Sequence, residues 1–251
     1  SMGIGEIIAI AVAGLAAGAV NTVVGSGTLI TFPVLLAFGY APITANVSNT
    51  IGLVPGSVVG AIGYRAQLSG QRRRVLILGC ATLAGAVAGA ILLLELPSSA
   101  FKSIVPVFIV MALVLIVLQP SLARHLSARH RRSSHHGGPG TLLAVLATGV
   151  YGGYFGAAQG IMLLAILGVA LDESLQRINA IKNVLAGLAN LVAGIVFVLV
   201  AHVAWLPVLL IAIGSALGGF IGARVGQRLN PGVLRGLILL VGALAIVKLL
   251  G

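Results

Sequence analysis

The feature that most constrains this chain is a succession of about ten apolar runs, roughly residues 4 to 20, 28 to 40, 43 to 64, 75 to 95, 101 to 119, 141 to 155, 160 to 171, 178 to 203, 205 to 223 and 232 to 250. A helix rises about 1.5 Å per residue, so about 20 residues cross the hydrocarbon of a bilayer, and most of these runs approach that length. The runs 28 to 40 and 160 to 171 fall short of it and are expected to be broken spans or re-entrant arms. Composition points to the same solvent: 59% hydrophobic and 8% charged residues leave too little polar surface to coat a water-soluble core. The expected fold is all-α, a polytopic membrane protein with about 8 to 10 membrane segments whose first partner is the lipid bilayer. The first run passes straight into polar NTVVGSGT, with no cleavage site of the kind that ends a removable signal.

The chain also repeats. A shift of 133 residues brings Gly27 onto Gly160, Asn46 onto Asn179, Asn49 onto Lys182, Thr50 onto Asn183, Ser57 onto Asn190, Thr82 onto Ser215, Gly85 onto Gly218 and Gly89 onto Gly222. Glycine matches are cheap in a glycine-rich chain, but a shared register of polar residues is not, because polar side chains are scarce in apolar helices. The organisation expected is a first half at 1–119, a basic linker at 120–140 and a second half at 141–251. The linker, QPSLARHLSARHRRSSHHGGPG, has Ser, Gly and Pro and no apolar periodicity, so it reads as exposed. Its histidines lie beside arginines without fixed ligand spacing, and no metal site is expected there.

Lysine and arginine set the orientation. Arg65, Arg72, Arg73 and Arg74, then Arg124, Arg129, Arg131 and Arg132, then Arg224, Arg228 and Arg235 are expected on the cytoplasmic side, along with Asp172, Glu173 and Arg177. His202 and Trp205 then fall outside, and Trp205, Tyr40 and Tyr64 near segment ends fit an interfacial aromatic belt. The first half begins outside and ends inside while the second does the reverse, so five segments per half give an inverted-topology repeat in the inner, or plasma, membrane. The net charge of +11 is placed to meet anionic headgroups rather than nucleic acid, which is not an expected partner. Inverted halves can exchange conformations at little cost in energy, which is what alternating access requires.

Two stretches interrupt the helical pattern near the start of each half, AVNTVVGSGTL at 19 to 29 and VYGGYFGAAQGI at 150 to 161. Glycines permit the bends, and the free N–H groups of a restarting helix can hold an anion. Asn21, Ser26, Thr28, Tyr154 and Gln159 bring hydrogen-bonding side chains to these places. The plainer reading is that such turns only let helices pack closely. Farther along, Asn46, Asn49, Thr50 and Ser57 share one helix face, and Asn179, Lys182, Asn183 and Asn190 repeat the spacing. Lys182 has two readings: its stem can snorkel to the headgroups, or its ammonium can face a central cavity with the asparagines.

Only Glu6, Glu95, Asp172 and Glu173 are acidic, and all lie toward segment ends. With no carboxylate in the membrane to bind a cation or relay a proton, a site of amides, hydroxyls, helix N-termini and one lysine suits a small anion. A transporter of such an anion is expected, with no cofactor and no enzymatic activity. An anion channel would share the stripes without needing the interruptions, and a non-transporting scaffold would leave the stripes unexplained. Ser26 with His202 does not make a hydrolase, because His202 belongs at the outer surface and no orienting carboxylate is near. Cys80 has no partner for a disulfide or metal. Steps such as Gly85 to Gly89 and Gly214, Gly218 and Gly222 favour close packing, within the chain or in a homodimer.

Three blocks carry a family resemblance: AGAVNTVVGSGTLITFPVLLAFGYAPITANVSNTIGLVPGSVVG, then GVYGGYFGAAQGIMLLAILGVALDESLQRINAIKNVLAGLANLVAGI, then LNPGVLRGLILLVGALAIVKLL. In this order they resemble the TauE/SafE family of sulfite exporters over nearly the whole chain, the linker aside. The resemblance implies a bacterial-type inner-membrane transporter whose substrates are sulfite, sulfonates and related sulfur anions. It transfers no binding residues.

Overall fold

The computed structural model describes residues 2–128 and 138–225, and all regular structure in them is helical. The chain runs through α1 (Ile4–Val23), α2 (Thr28–Ala37), α3 (Pro42–Gly52), α4 (Val54–Gly63), a short 3-10 turn at Arg65–Leu68, α5 (Arg72–Glu95), α6 (Ser98–Ala128), α7 (Gly138–Tyr154), α8 (Gln159–Ala170), α9 (Leu175–Val200) and α10 (Trp205–Val225). Among the described residues, five helices, α1, α5, α6, α9 and α10, are long and apolar enough to cross a membrane, while α2 and α8 are short apolar helices. The run 232 to 250, with Arg228 and Arg235, lies outside the described residues, as do Arg129, Arg131, Arg132, His130, His135 and His136 of the linker.

Three features depart from the sequence reading. The run 43 to 64 is two helices, because Pro55 has no N–H to give and its ring crowds the preceding turn, so α3 stops at Gly52 and α4 restarts at Val54. Its counterpart α9 has Leu188 where the repeat places Pro55, and is continuous. The segment expected as an exposed linker from residue 120 continues α6 as far as Ala128, and α7 starts at Gly138 rather than 141. Tyr64 is buried rather than in an interfacial belt, whereas Trp205 is exposed.

Packing is reciprocal between the halves. α1 lies along α10 and α7 along α5; α4 lies against α10 and α9 against α5. The small-residue steps serve these pairs inside the chain. A Cβ at Gly218 would sit 1.9 Å from Leu15 O, and one at Gly85 would sit 2.2 Å from Leu146 O, so the backbones touch only because both residues are glycine. Gly85 and Gly218 are 133 residues apart, but Leu15 and Leu146 are 131 apart.

That difference corrects the single register. Both breaks close in the same way: Gly25 N donates to Val20 O (3.0 Å) and Gly156 N to Tyr151 O (3.1 Å). Gly25 and Gly156 take left-handed conformations, with φ of 90° and 77°, that a residue with a Cβ enters only under strain. Through the first helix and the break the register is therefore 131, pairing Gly25 with Gly156, and not the 133 that paired Gly27 with Gly160. α2 has 10 residues and α8 has 12, and this two-residue difference restores 133 from α3 and α9 onward.

Candidate functional site

The two breaks meet inside the protein. Gly160 N donates to Gly25 O (3.1 Å), and a Cβ on either glycine would stand 2.4 Å from the other's Cα. Each break exposes carbonyls at the end of the helix before it, groups that no following turn can satisfy. Donors from the opposite half reach them. Asn46 Nδ2 on α3 donates to Tyr154 O at the end of α7 (2.8 Å). Asn179 Nδ2 on α9 donates to Thr22 O at the end of α1 (3.3 Å). Lys182 adds its ammonium to the same end, with Nζ 2.9 Å from Asn21 O and 3.2 Å from Thr22 O.

The lysine is the one fully buried charged side chain among the described residues, at 0% exposure. Its stem runs into the protein and not toward the headgroups. A Cβ at Gly160 would approach Lys182 Cδ to 3.0 Å, so the missing side chain at Gly160 leaves the path by which the stem reaches α1. The positive charge sits at a helix C-terminus, where the partial negative charge of the last carbonyls favours it.

The other expected site residues divide by partner. Asn49 Nδ2 donates to Thr28 Oγ1 (3.1 Å), and Thr31 Oγ1 donates to Asn49 Oδ1, so Asn49 fastens α3 to α2 within its own half. Thr50 Oγ1 bonds back to Asn46 O (2.9 Å), which occupies it within its own helix. Asn21 Nδ2 and Asn190 Nδ2 both donate to Ser57 Oγ, at 3.5 Å and 3.4 Å. Gln159 Nε2 donates to Thr148 O (3.5 Å) and lies against Gly152, where a Cβ would leave it no room. Ser26 Oγ, Asn46 Oδ1, Asn179 Oδ1, Asn183 Nδ2 and the Tyr154 hydroxyl, together with Thr82 Oγ1 away from them on α5, are buried without a hydrogen-bond partner. Such atoms cost free energy in an apolar interior, and all but Thr82 Oγ1 lie at the breaks or on the stripes.

Sequence reasoning missed three contributors. Thr31 stands one turn beyond Thr28, a spacing that was legible. Tyr151 donates its hydroxyl to Ala157 O and fixes the second break from within. An aromatic nest of Phe32, Phe101, Phe108, Tyr154 and Phe155, with Phe32 and Phe155 centroids 5.1 Å apart, packs around that break. Its members lie in apolar runs where an aromatic residue carries no distinguishing signal.

At the two ends, contacts tie the loops. Arg74 Nη1 donates to Glu173 Oε1 (2.7 Å) and Arg177 Nε to Glu173 Oε2 (2.6 Å), while Arg177 Nη2 reaches Ser69 O (3.1 Å). The loop before α5 and the loop between α8 and α9, both expected on one side from their charges, do lie together. Burial pushes the Glu173 carboxyl up, but the hydrogen bonds and charges of Arg74 and Arg177 outweigh it and hold the group below the ordinary carboxylate range. At the other end Tyr40 OH donates to Glu6 Oε1 (3.2 Å) and Ala204 N to Ser48 Oγ (3.0 Å). His202 is exposed there, in the loop between α9 and α10, and Ser26 is buried at the first break.

The chain as a whole is matched by known sequences. The family model described as sulfite exporter TauE/SafE matches residues 10–249. The chain belongs to the TauE/SafE family. A probable membrane transporter protein, YfcA, of Escherichia coli (strain K12) is 26% identical over 238 residues, covering 93% of this chain and 86% of that protein. The probable membrane transporter protein ORF9 of Sinorhizobium sp is 25% identical over 239 residues, covering 95% and 90%. A probable membrane transporter protein of Haemophilus influenzae is 23% identical over 240 residues, covering 94% and 91%. No solved structure matches the chain at a significant level. This TauE/SafE protein is thus a multi-pass membrane transporter and not an enzyme, as its residues and its relatives together indicate.

Proposed function

We propose that the protein exports small sulfur-containing anions, sulfite or organosulfonates, across the inner membrane by alternating access between two inverted halves, with the basic linker 120–140 in the cytoplasm. The observation that carries this reading is the reciprocal closure of the breaks, Asn46 to Tyr154 O and Asn179 to Thr22 O. Each half holds the interrupted helix of the other, so a shift of one half against the other opens one break and relaxes its partner. Ser57 and Asn190 support a twofold relation, because residues that are equivalent in the repeat and also touch must lie at its axis. Glu173 with Arg74 and Arg177 fits the cytoplasmic end by the positive-inside rule.

The anion binds where the breaks meet. An ammonium carries three N–H donors, and Lys182 gives two of them to Asn21 O and Thr22 O, which leaves a donor for substrate. Ser26 and Asn183, buried and unpartnered, complete the hydrogen bonds, and the N-termini of α2 and α8 add their dipoles. With no carboxylate in the site, transport is electrogenic and independent of proton or sodium gradients. In a cell negative inside, each negative charge gains about 2.3 kcal/mol per 100 mV on leaving, which drives export.

Proteoliposome flux with sulfite, sulfate, thiosulfate, sulfoacetate and chloride, with and without an imposed potential, tests this. Saturable, potential-driven flux of sulfite or sulfoacetate with counterflow is expected. Non-saturable flux without counterflow points to a channel instead, and flux that needs a pH gradient at zero potential overturns the coupling.

A further inference from the structure

The end of α1 is treated differently from the end of α7, and the difference is chemical. At α7 a neutral amide, Asn46 Nδ2, meets the free carbonyl of Tyr154. At α1 a neutral amide, Asn179 Nδ2, already meets Thr22 O, and an ammonium is added. Burying an ammonium costs far more than burying an amide, so a cap alone does not account for Lys182. Lysines that cap helices ordinarily come from the last turn of the same helix and keep their heads in water. This one comes from the other half of the chain, 161 residues from Asn21, and is fully enclosed. The four acids of the chain are Glu6, Glu95, Asp172 and Glu173, at helix ends or in the loop before α9, so the charge answers to carbonyl oxygens.

Unwound backbone carbonyls in a broken membrane helix are what monovalent coupling ions bind. We infer that the end of α1, at Asn21 O and Thr22 O, is a monovalent-cation site whose occupant, the ammonium of Lys182, is tethered to α9. The carrier holds its cation covalently and needs none from solution. Gly160, which lacks the side chain that would crowd the lysine stem, keeps the passage from α9 to the site. The consequence for coupling rests on reading the breaks as the transport site; the cation site itself does not.

The inference predicts that the occupant is replaceable. Lys182→Ala deletes four side-chain atoms that n-propylammonium supplies in full, whereas Lys182→Met fills the passage with a neutral chain. The purified protein in detergent, without any anion substrate, is unfolded by heat in choline chloride and in rising propylammonium or sodium chloride at matched ionic strength. Lys182→Ala is expected to show a saturable rise in Tm of about 4 °C in propylammonium or sodium over choline, while wild type and Lys182→Met do not move. An equal shift in all three proteins, no shift in Lys182→Ala, or a Lys182→Ala protein that propylammonium and sodium cannot recover in folded form overturns the site. Anion flux, measured separately on wild type, can fail without touching this result, and the converse holds as well.

Discussion

The two breaks share a backbone and differ in what holds them. Gly25 and Gly156 close their helices by the same hydrogen bond and the same left-handed turn. Around Gly25 the partners are polar: Lys182, Asn179, and Ser57 through Asn21. Around Gly156 they are aromatic, with Phe32 and Phe101 edge to face against Phe155, Phe108 stacked on it, and one amide, Asn46, on the carbonyl. One backbone device can thus be fixed by directional charge or by shape. Charge responds to a charged ligand; a ring nest does not. The first break is therefore the one expected to feel the substrate, and the second the one expected to hold the fold.

The sharpest way to break this contrast is Phe155→Ala. Phe155 is 1% exposed. Removing its ring opens a cavity worth about 3 kcal/mol, the lower end of the usual range because in the unfolded protein the side chain stays in lipid rather than water. Thermal unfolding should show the loss, with anion affinity in the surviving folded protein close to wild type. Lys182→Met should act chiefly on affinity. Loss of a charge-assisted contact of roughly 1.5 to 3 kcal/mol lowers anion affinity about ten- to a hundredfold, read as the half-saturating concentration of flux, and Lys182→Arg should restore part of it. Wild-type affinity in Lys182→Met would leave the neutral stripes alone as the site.

Asn46→Ala strands Tyr154 O and should cost about 1 to 2 kcal/mol of stability, measured by the same unfolding assay, with a smaller effect on affinity than Lys182→Met. The return loops extend the contrast, since the second is tied by ion pairs at Glu173 and the first by a hydrogen bond from Tyr40 to Glu6. Because the folded Glu173 pKa lies below its unfolded value, its stabilisation is present above the unfolded carboxylate range and is lost as pH falls through the folded pKa. Glu173→Gln should lower Tm at neutral pH and so flatten the acid limb of the profile, leaving Tm at acid pH, where Glu173 is already protonated, close to wild type. The smallest effect is expected at Ala158, which takes φ of 59° where the first break has Gly27 at −58°. Ala158→Gly relieves a left-handed strain of about 1 kcal/mol and loses a buried methyl of similar worth, so its Tm should move by no more than about 2 °C.

By itself the sequence determined the solvent, the helical class, the two short helices, the two glycine-rich breaks, though not the one at Pro55, and the residues of both stripes. These follow from local quantities: the length of an apolar run, the missing Cβ of glycine, the 3.6-residue period that aligns Asn46, Asn49 and Thr50. It also paired the loop before α5 with the loop between α8 and α9, because charge in loops is visible without knowing what packs against what. Tertiary structure decided the rest. That Asn46 closes the break of the second half and Asn179 that of the first, that Lys182 turns inward, that Ser57 meets Asn190, and that α8 absorbs two residues so that one register becomes two are all facts about which surfaces face each other. A polar side chain in an apolar helix announces that it needs a partner, but for Asn46, Asn179 and Lys182 the partner is a backbone carbonyl more than a hundred residues away. Every residue has a carbonyl, so no pattern in the sequence marks the one left free, and only the packing of helix against helix selects it.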